Sequence, residues 1–354
     1  MNAPSAFDAA EALLEQVRAA LQANTPLRIQ GSNSKAFLGR ETAGEIVDTR
    51  SHRGILSYDP TELVISARAG TPLQELHATL DAAGQMLPCE PPGFGAGATL
   101  GGMLASGLSG PRRPWAGAVR DFVLGTRIIS GSGEHLRFGG QVMKNVAGYD
   151  LSRLMAGSYG CLGLITEVSL KVLPKPRQCL SLSLEMDRQR ALALLAEWGQ
   201  QPLPISAACH DGQRLHLRLE GGEGSVTAAH QRLGGEPLDS GYWSRLNEQQ
   251  LEFFNPGLPL WRLSVPHNTP LLALPGEQLL DWGGAQRWLK TDAAAAEIRA
   301  AVSAVGGHAS CYSHGLHDSP FHPLAPTLLH YHQRLKAQLD PQGIFNPGRL
   351  YAEL

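Results

Sequence analysis

The sequence predicts an α+β protein of two domains, on three observations. Its 354 residues exceed the roughly 250 to 300 at which single hydrophobic cores stop growing. The first part sets short strand-like runs beside one strongly periodic helix and then gives way to a stretch dominated by glycine. Beyond residues 174–177 the order becomes strand, helix, two strands, helix. That order suits an antiparallel sheet with helices on one face, a ferredoxin-like layering.

Taken in order, MNAPSAFDAAEALLEQVRAAL carries acids and apolar residues at helical spacing, so an amphipathic helix is expected and not a signal peptide or membrane span. LRIQGS (27–32), EIVDT (45–49) and LVISARAG (63–70) are strand-like: short, branched and closed by glycine or polar breaks. Thr71 to Ala83 is expected as a helix, with Pro72 in its first turn and Leu73, Leu76 and Leu80 on one face. TRIISGSGEHLRFGG has the pattern of a hairpin turning at Gly131 to Glu134. The strand that follows stops at two prolines, which makes Pro174 to Arg177 the best domain boundary. CLSLSLEMD is then a strand, RQRALALLAEWGQQ a helix, ISAACHDGQRLHLRLEG a hairpin and SVTAAHQRLGG a helix. LWRLSVP, LLDWGGAQRWLK, AAAAEIRAAVSAVGG and HASCYSH echo that theme too weakly to establish a repeat. PTLLHYHQRLKAQL closes the chain as a helix before an extended tail.

Composition narrows the function. With 43% hydrophobic residues the chain can bury substantial cores, and a net charge of −2 without a long basic run argues against nucleic acid or an anionic membrane as partner. Arg112 with Arg113, and Lys171, Lys175 and Arg177, are small clusters of the kind found on solvated faces. Five cysteines, at 89, 161, 179, 209 and 311, form no C-x-x-C pair. They offer no ligand set for an iron–sulfur cluster or structural zinc, and suit a reduced, cytoplasmic protein.

Pro91 to Asp121 holds eight glycines in thirty-one positions. Glycine lets main-chain N–H groups converge on an anion, so the stretch reads as a cradle for a phosphate-bearing cofactor. A glycine-rich surface loop is the plainer alternative, although long structureless connections are uncommon in compact domains. Gly93, Gly95 and Ala98 match the dinucleotide G-x-G-x-x-A spacing. The proline-rich MLPCEPP ahead of them cannot be a central strand, and Asp121 precedes the strand FVLGTRIIS instead of closing one.

IQGSNSKAFLGR, GPRRPWAGAVRDFVLGTRI, GQVMKNVAGYDLSRLMAGSYGCLG, DWGGAQRWLK and LDPQGIFNPGR stand in this order and span most of the chain. Together they resemble the flavoprotein family that includes vanillyl-alcohol oxidase and p-cresol methylhydroxylase, and within it the FAD-binding E subunits of bacterial glycolate oxidases. The resemblance implies a two-subdomain FAD-binding domain over residues 1–176, an antiparallel, ferredoxin-like cap over 177–330, and a C-terminal helix and tail, 331–354, returning to the FAD domain.

The resemblance also assigns a binding site. Gln30, Gly31, Ser32, Asn33, Ser34 and Lys35 would form a first pyrophosphate loop, where amides after a strand make an anion-binding concavity; an ordinary strand-to-helix turn is the alternative. Pro92 and Gly93 lead into a second loop, Thr99 to Gly110. There the N-terminal amides of a short helix at Thr99, Leu100, Gly101 and Gly102 would face the other phosphate, and Ser106, Gly107, Ser109 and Gly110 would follow the flavin. Gly157, Gly160, Leu164 and Ile165 would be the third contact; Tyr159 and Cys161 replace the glutamate and threonine common there. Asn145, the Gly148–Tyr149–Asp150 turn and Asn346 would lie near the ring, or else serve packing and turns. Ser32, Asn33 and Ser34 supply no histidine for a covalent link, and Cys89 and Cys161 are the nominal remaining candidates. A non-covalent FAD is expected.

Oxidising a 2-hydroxy acid requires a cation for the carboxylate, a base for the hydroxyl proton and the flavin as hydride acceptor. Arg262, Arg287 and Lys290 are candidate cations, each taken alone more readily a surface or interdomain residue, and no base is assigned. Trp282 would cover the flavin, line an interface or simply pack. His308, His314, His317 and His322 lie in HASCYSHGLHDSPFH, which lacks the Gly-Asp-Gly core of the related H-x-G-D-G-N-x-H motif, so no metal site is expected. The resemblance implies a complex with a homologous FAD subunit and an iron–sulfur subunit, oxidising glycolate to glyoxylate and reaching the inner membrane, if at all, through those partners. The alternative is a flavin relay or assembly scaffold whose sister subunit performs the chemistry.

Overall fold

The computed structural model describes residues 7–140, 150–313, 315 and 319–354. The chain divides into two compact units, one of residues up to 109 with 117–174 and 323–354, the other of 110–116 with 175–322.

In the first unit, α1 (Ala10–Ala23) turns Leu13, Leu14, Val17 and Ala20 inward. They pack on Leu27 and Val47 of the parallel strands β1 (Leu27–Gln30) and β2 (Glu45–Asp48), together with Ile344 and Phe345 of the C-terminal tail. This small parallel layer is fastened to the tail by backbone bonds from Leu27 N–H to Ile344 O and from Asn346 N–H to Leu27 O. A second, antiparallel sheet combines β3 (Ile55–Asp59), β4 (Val64–Arg68), β5 (Val123–Ile129), β6 (His135–Gly139) and β7 (Leu164–Lys171), in the spatial order β3-β4-β7-β5-β6. Its central strand β7 is nearly all buried, as a strand covered on both faces should be. The expected hairpin is β5–β6, paired Ile129 to His135. The expected helix is α2 (Leu73–Ala82), with Pro72 as its N-cap residue, one step outside the first turn. The glycine-rich stretch holds α3 (Leu100–Ser106), which ends on Gly107 in the left-handed region.

The second unit contains β8 (Gln178–Glu185), α4 (Arg188–Trp198), β9 (Ile205–His210), β10 (Arg214–Gly221) and α5 (Glu223–Leu233), followed by a short strand at Glu236–Pro237. The sheet order Glu236–Pro237, β8, β10, β9 is that of a ferredoxin-like βαββαβ unit. The same sheet continues through β12 (Glu277–Asp281), β13 (Gln286–Lys290), β11 (Leu260–Ser264) and β14 (His308–Cys311), with α6 (Ala295–Ser303) before the last strand. These four strands repeat the order as its mirror, and the halves join where His210 pairs with Leu280. The repeat that the residues only suggested is therefore a structural one. It is hidden because residues 265–276, where its first helix would stand, carry no helix among the described residues. Each half has its own core, one around Leu182, Leu215 and Val226, the other around Trp261, Leu289 and Val302.

Candidate functional site

In the first unit, three glycine-bearing loops are locked to one another. The first follows β1, and the second leads into α3. At Gly31 an added Cβ would sit 2.4 Å from Thr99 Oγ1, and at Gly97 one would sit 3.3 Å from Ser32 Cβ, so the two loops abut at positions where a glycine on one faces a side chain of the other. Ser34 Oγ and Lys35 Nζ both donate to Gly93 O, at 2.8 and 3.1 Å. Lys35 also lies over the Phe94 ring, which Phe37 meets edge-on. Lys35 thus ties the loops together as well as bringing charge. Among the described residues the amides of Gly31, Ser32 and Asn33 have no protein acceptor.

The third loop packs on the second. Gly157 N–H donates to Leu104 O and Tyr159 N–H to Ala105 O, and a Cβ on Gly107 would meet Gly157 N at 2.9 Å. Tyr159 and Gly160 both have positive φ, at 51° and 73°. Asn346 then bridges the end of β1, just before the first loop, and the third loop: its Oδ1 accepts from Ile29 N–H at 2.8 Å, and its Nδ2 donates to Tyr159 O at 2.6 Å. Its side chain is a fastener between them. Two buried oxygens in the region, Gln30 Oε1 and Ser158 Oγ, have no hydrogen-bond partner among the described residues. Free loop amides, close glycine contacts and orphaned polar atoms are what a polar, phosphate-bearing ligand would satisfy.

Several expected residues have different work. The first amides of α3 are already engaged: Leu100 N–H with Thr71 O, Gly101 N–H with Ala69 O, and Gly102 N–H with Thr99 Oγ1. They do not offer free donors to a phosphate, so the free amides lie in the first loop. Gly101 is required by packing, since a Cβ there would stand 2.8 Å from Ala69 Cβ. Ser106 Oγ donates back to Met103 O, and Ser109 Oγ accepts from Val119 N–H. Leu164 and Ile165 are buried residues of β7. Pro92 is buried just ahead of Gly93. Gly110 belongs to the second unit, where its carbonyl accepts from Trp282 Nε1. Asn145 lies outside the described residues, as do His314 and His317.

Both nominal thiols are poor nucleophiles. Burial pushes Cys89 up to about 12 and raises Cys161 as well.

In the second unit the three candidate cations separate. Arg287 is fully buried and donates to Gly284 O, Pro270 O and Thr269 O. Its fork is consumed in holding the segment that replaces the missing helix, so it is a structural strut and not a carboxylate clamp. Lys290 donates to Asn255 O beside the Phe253 ring. Arg262 reaches Gln286 Oε1 at 2.5 Å through Nε and Tyr312 Oη at 3.3 Å through Nη1, while Nη2 has no partner among the described residues. Arg262 and Arg113 both lie against the Trp282 indole, 5.0 and 4.4 Å from its centroid. Trp282 itself is buried with φ +53°, a strained conformation for a bulky residue, held by Asp281 Oδ1 on its own N–H. Burial depresses His308, and the nearby charges of Arg262, His322 and Arg113 add to the effect. His322 accepts from Ala309 N–H and faces Ser303 Oγ. Among the described residues no group of His, Cys, Asp or Glu is arranged to hold a metal ion.

One interaction was missed by residue reasoning. Arg112, grouped with surface charges, forms a two-pronged ion pair with Glu220, both side chains being about one-tenth exposed. Burial raises the Glu220 carboxyl, but the Arg112 bond and the charge of Arg218 outweigh it and hold the group below its ordinary value.

Residues 6–139 match the family described as FAD binding domain. Glycolate oxidase subunit GlcE of Escherichia coli strain K12 is 62% identical over 347 residues, spanning 98% of this chain and 99% of that protein. Glycolate oxidase subunit GlcD of Bacillus subtilis strain 168 is 34% identical over 153 residues, 43% of this chain and 32% of that one. Among solved structures, alkyldihydroxyacetonephosphate synthase superposes with a TM-score of 0.68 at 16% identity, covering 96% of this chain and 75% of its own, which shows the fold. The chain belongs to the glycolate oxidase subunit GlcE family, FAD-dependent oxidoreductases of the p-cresol methylhydroxylase fold.

Proposed function

We propose that this chain is the FAD-carrying subunit of a multi-subunit glycolate oxidase, taking part in the oxidation of glycolate to glyoxylate and passing electrons to an iron–sulfur partner. The observation that carries the reading is the interlocked set of loops around Gly31, Thr99, Gly107 and Gly157, with free amides at Gly31 to Asn33. Gln30 to Lys35 would hold one phosphate, the turns at Gly93 and Thr99 would close over it, and Gly157 to Ile165 would line the far side. The FAD domain would comprise 1–176 with 331–354 returning to it, and 177–330 would form the cap. The unit boundaries at Pro174 and Pro323 support this division.

When bound, FAD supplies a two-electron acceptor for the hydride leaving the substrate α-carbon. The chain's own residues would position that substrate. Arg262, with Nη2 open and Tyr312 beside it, is the cation best suited to a carboxylate. Neither cysteine is poised to form a link, so the FAD is held without a covalent bond. Identity with one glycolate oxidase subunit and a shared segment with another support a complex with a homologous flavoprotein subunit.

The test is to purify the chain alone, reconstitute it with FAD and add glycolate without oxygen. Stoichiometric loss of the oxidised flavin absorbance supports a subunit with its own chemistry. A flavin that stays yellow alone and bleaches only in the assembled complex makes this chain a relay.

A further inference from the structure

The C-terminal helix, Pro326–Leu339, has a single buried residue, and it is a lysine. The Lys336 ammonium donates to Cys161 O at 2.7 Å, to Phe345 O at 2.7 Å and to Asp340 Oδ2 at 2.6 Å, so all three of its protons are used. Asp340, fully buried, accepts in turn from Phe345 N–H at 2.8 Å and Ile344 N–H at 3.2 Å. Gly131 closes the other side: its N–H donates to Leu339 O, and a Cβ there would meet Asp340 Cα at 2.4 Å. A buried ion pair with this many hydrogen bonds gives one geometry and few alternatives.

The side-chain hydrogen bonds of Lys336 and Asp340 beyond their own pair fall on the third loop or on the turn that reaches it, while Gly131, in the Ile129–His135 hairpin, packs against the far side. Cys161 belongs to the third loop. Phe345 precedes Asn346, whose amide ties Ile29, just before the first loop, to Tyr159 of the third. Asn346 has φ +40°, a conformation that needs support from its surroundings.

We propose that Lys336 and Asp340 are positioning residues of the flavin site. They act through the 344–346 turn, which sets the spacing between first and third loops, and neither residue touches the cofactor. This rests on the assignment of those loops to FAD.

The experiment measures FAD affinity of full-length apoprotein by quenching of flavin fluorescence, with far-ultraviolet circular dichroism and a melting curve as the check on folding. The variants are Asn346→Ala, Lys336→Met and the double substitution. Asn346→Ala removes two hydrogen bonds without stranding a buried charge, so it keeps the test open if Lys336→Met does not fold. It should weaken FAD binding by about tenfold. Lys336→Met should weaken it at least as much, and the double variant should bind no worse than Lys336→Met alone, because both act through one turn. Bound flavin in each should also show a broadened visible band from looser loops. Unchanged affinity in Asn346→Ala, or losses that add in the double variant, would overturn the proposal. Wild-type protein that binds no FAD would instead sink the loop assignment beneath it.

Discussion

Replacing Gly31 by alanine tests the closure of the first two loops with one methyl group. Gly31 has ordinary φ, so the substitution adds volume without backbone strain. The new Cβ would stand 2.4 Å from Thr99 Oγ1, where ordinary contact begins at 3.4 Å, so the loops must part by about 1 Å. Overpacking of this kind costs roughly 1 to 3 kcal/mol. If that cost falls on the bound arrangement, FAD affinity drops by roughly ten- to a hundredfold. Thr99→Ala is the control. It removes the clashing oxygen and also the N-cap of α3, which Gly102 N–H uses at 3.3 Å, for about 1 kcal/mol. The Gly31→Ala, Thr99→Ala double variant should then bind FAD almost as well as Thr99→Ala alone, since the next atoms of residue 99 lie at 3.4 Å. Fluorescence-quenching titrations on the apoproteins decide it. Wild-type affinity in Gly31→Ala, or a double variant with the full sum of both losses, would refute the packing argument.

Arg112→Met should destabilise the second unit by about 2 to 4 kcal/mol in urea unfolding, less than full loss of a buried pair because Arg218 still lies 3.5 Å from Glu220. Glu220 is depressed when folded, so its contribution is complete above its ordinary carboxyl range and disappears as pH falls through the lowered value. Glu220→Gln should flatten that part of the acid-stability curve, and an unchanged curve would contradict the assignment. Native protein treated with a maleimide at neutral pH should label the exposed Cys179 and spare Cys89, whose thiol sits near 12; peptide mapping reads the result. Acid precipitation should leave the yellow colour in solution, and a yellow pellet would show a covalent flavin. Arg262→Met should raise the KM for glycolate of the assembled enzyme with little change in melting temperature. Arg287→Met should lower the melting temperature by stranding three buried carbonyls.

Residues 30–35 and 93–110 stood out in the sequence because runs of glycine and other small residues leave few uses for so little side chain; that they hold FAD is the proposal under test. Which glycines face a ligand was not legible: Gly101 packs on Ala69, a contact set by tertiary structure. Strand β3, ILSYD, escaped notice because it lies at the sheet edge with most of its side chains outward and no alternation to find. The mirrored ferredoxin-like repeat left only a faint residue pattern, since its second half has no helix over 265–276 and keeps its strand order and its second helix, Ala295–Ser303. Arg287 is one of three candidate cations, and no residue pattern shows that its donors go to the carbonyls of Gly284, Pro270 and Thr269. Lys336 received no role from the sequence, where it is one more charge on a polar helix. Its only hint was an aspartate four residues on, at the point where the helix must stop and the tail turn back.

The central claim is that the interlocked loops of the first unit hold FAD. Titrating FAD into the isolated, flavin-free chain tests it most directly. Saturation at one FAD per chain, with the affinity lowered roughly ten- to a hundredfold in Gly31→Ala and recovered in the Thr99→Ala background, is the predicted result. A folded chain that neither quenches flavin fluorescence nor takes up colour would contradict it.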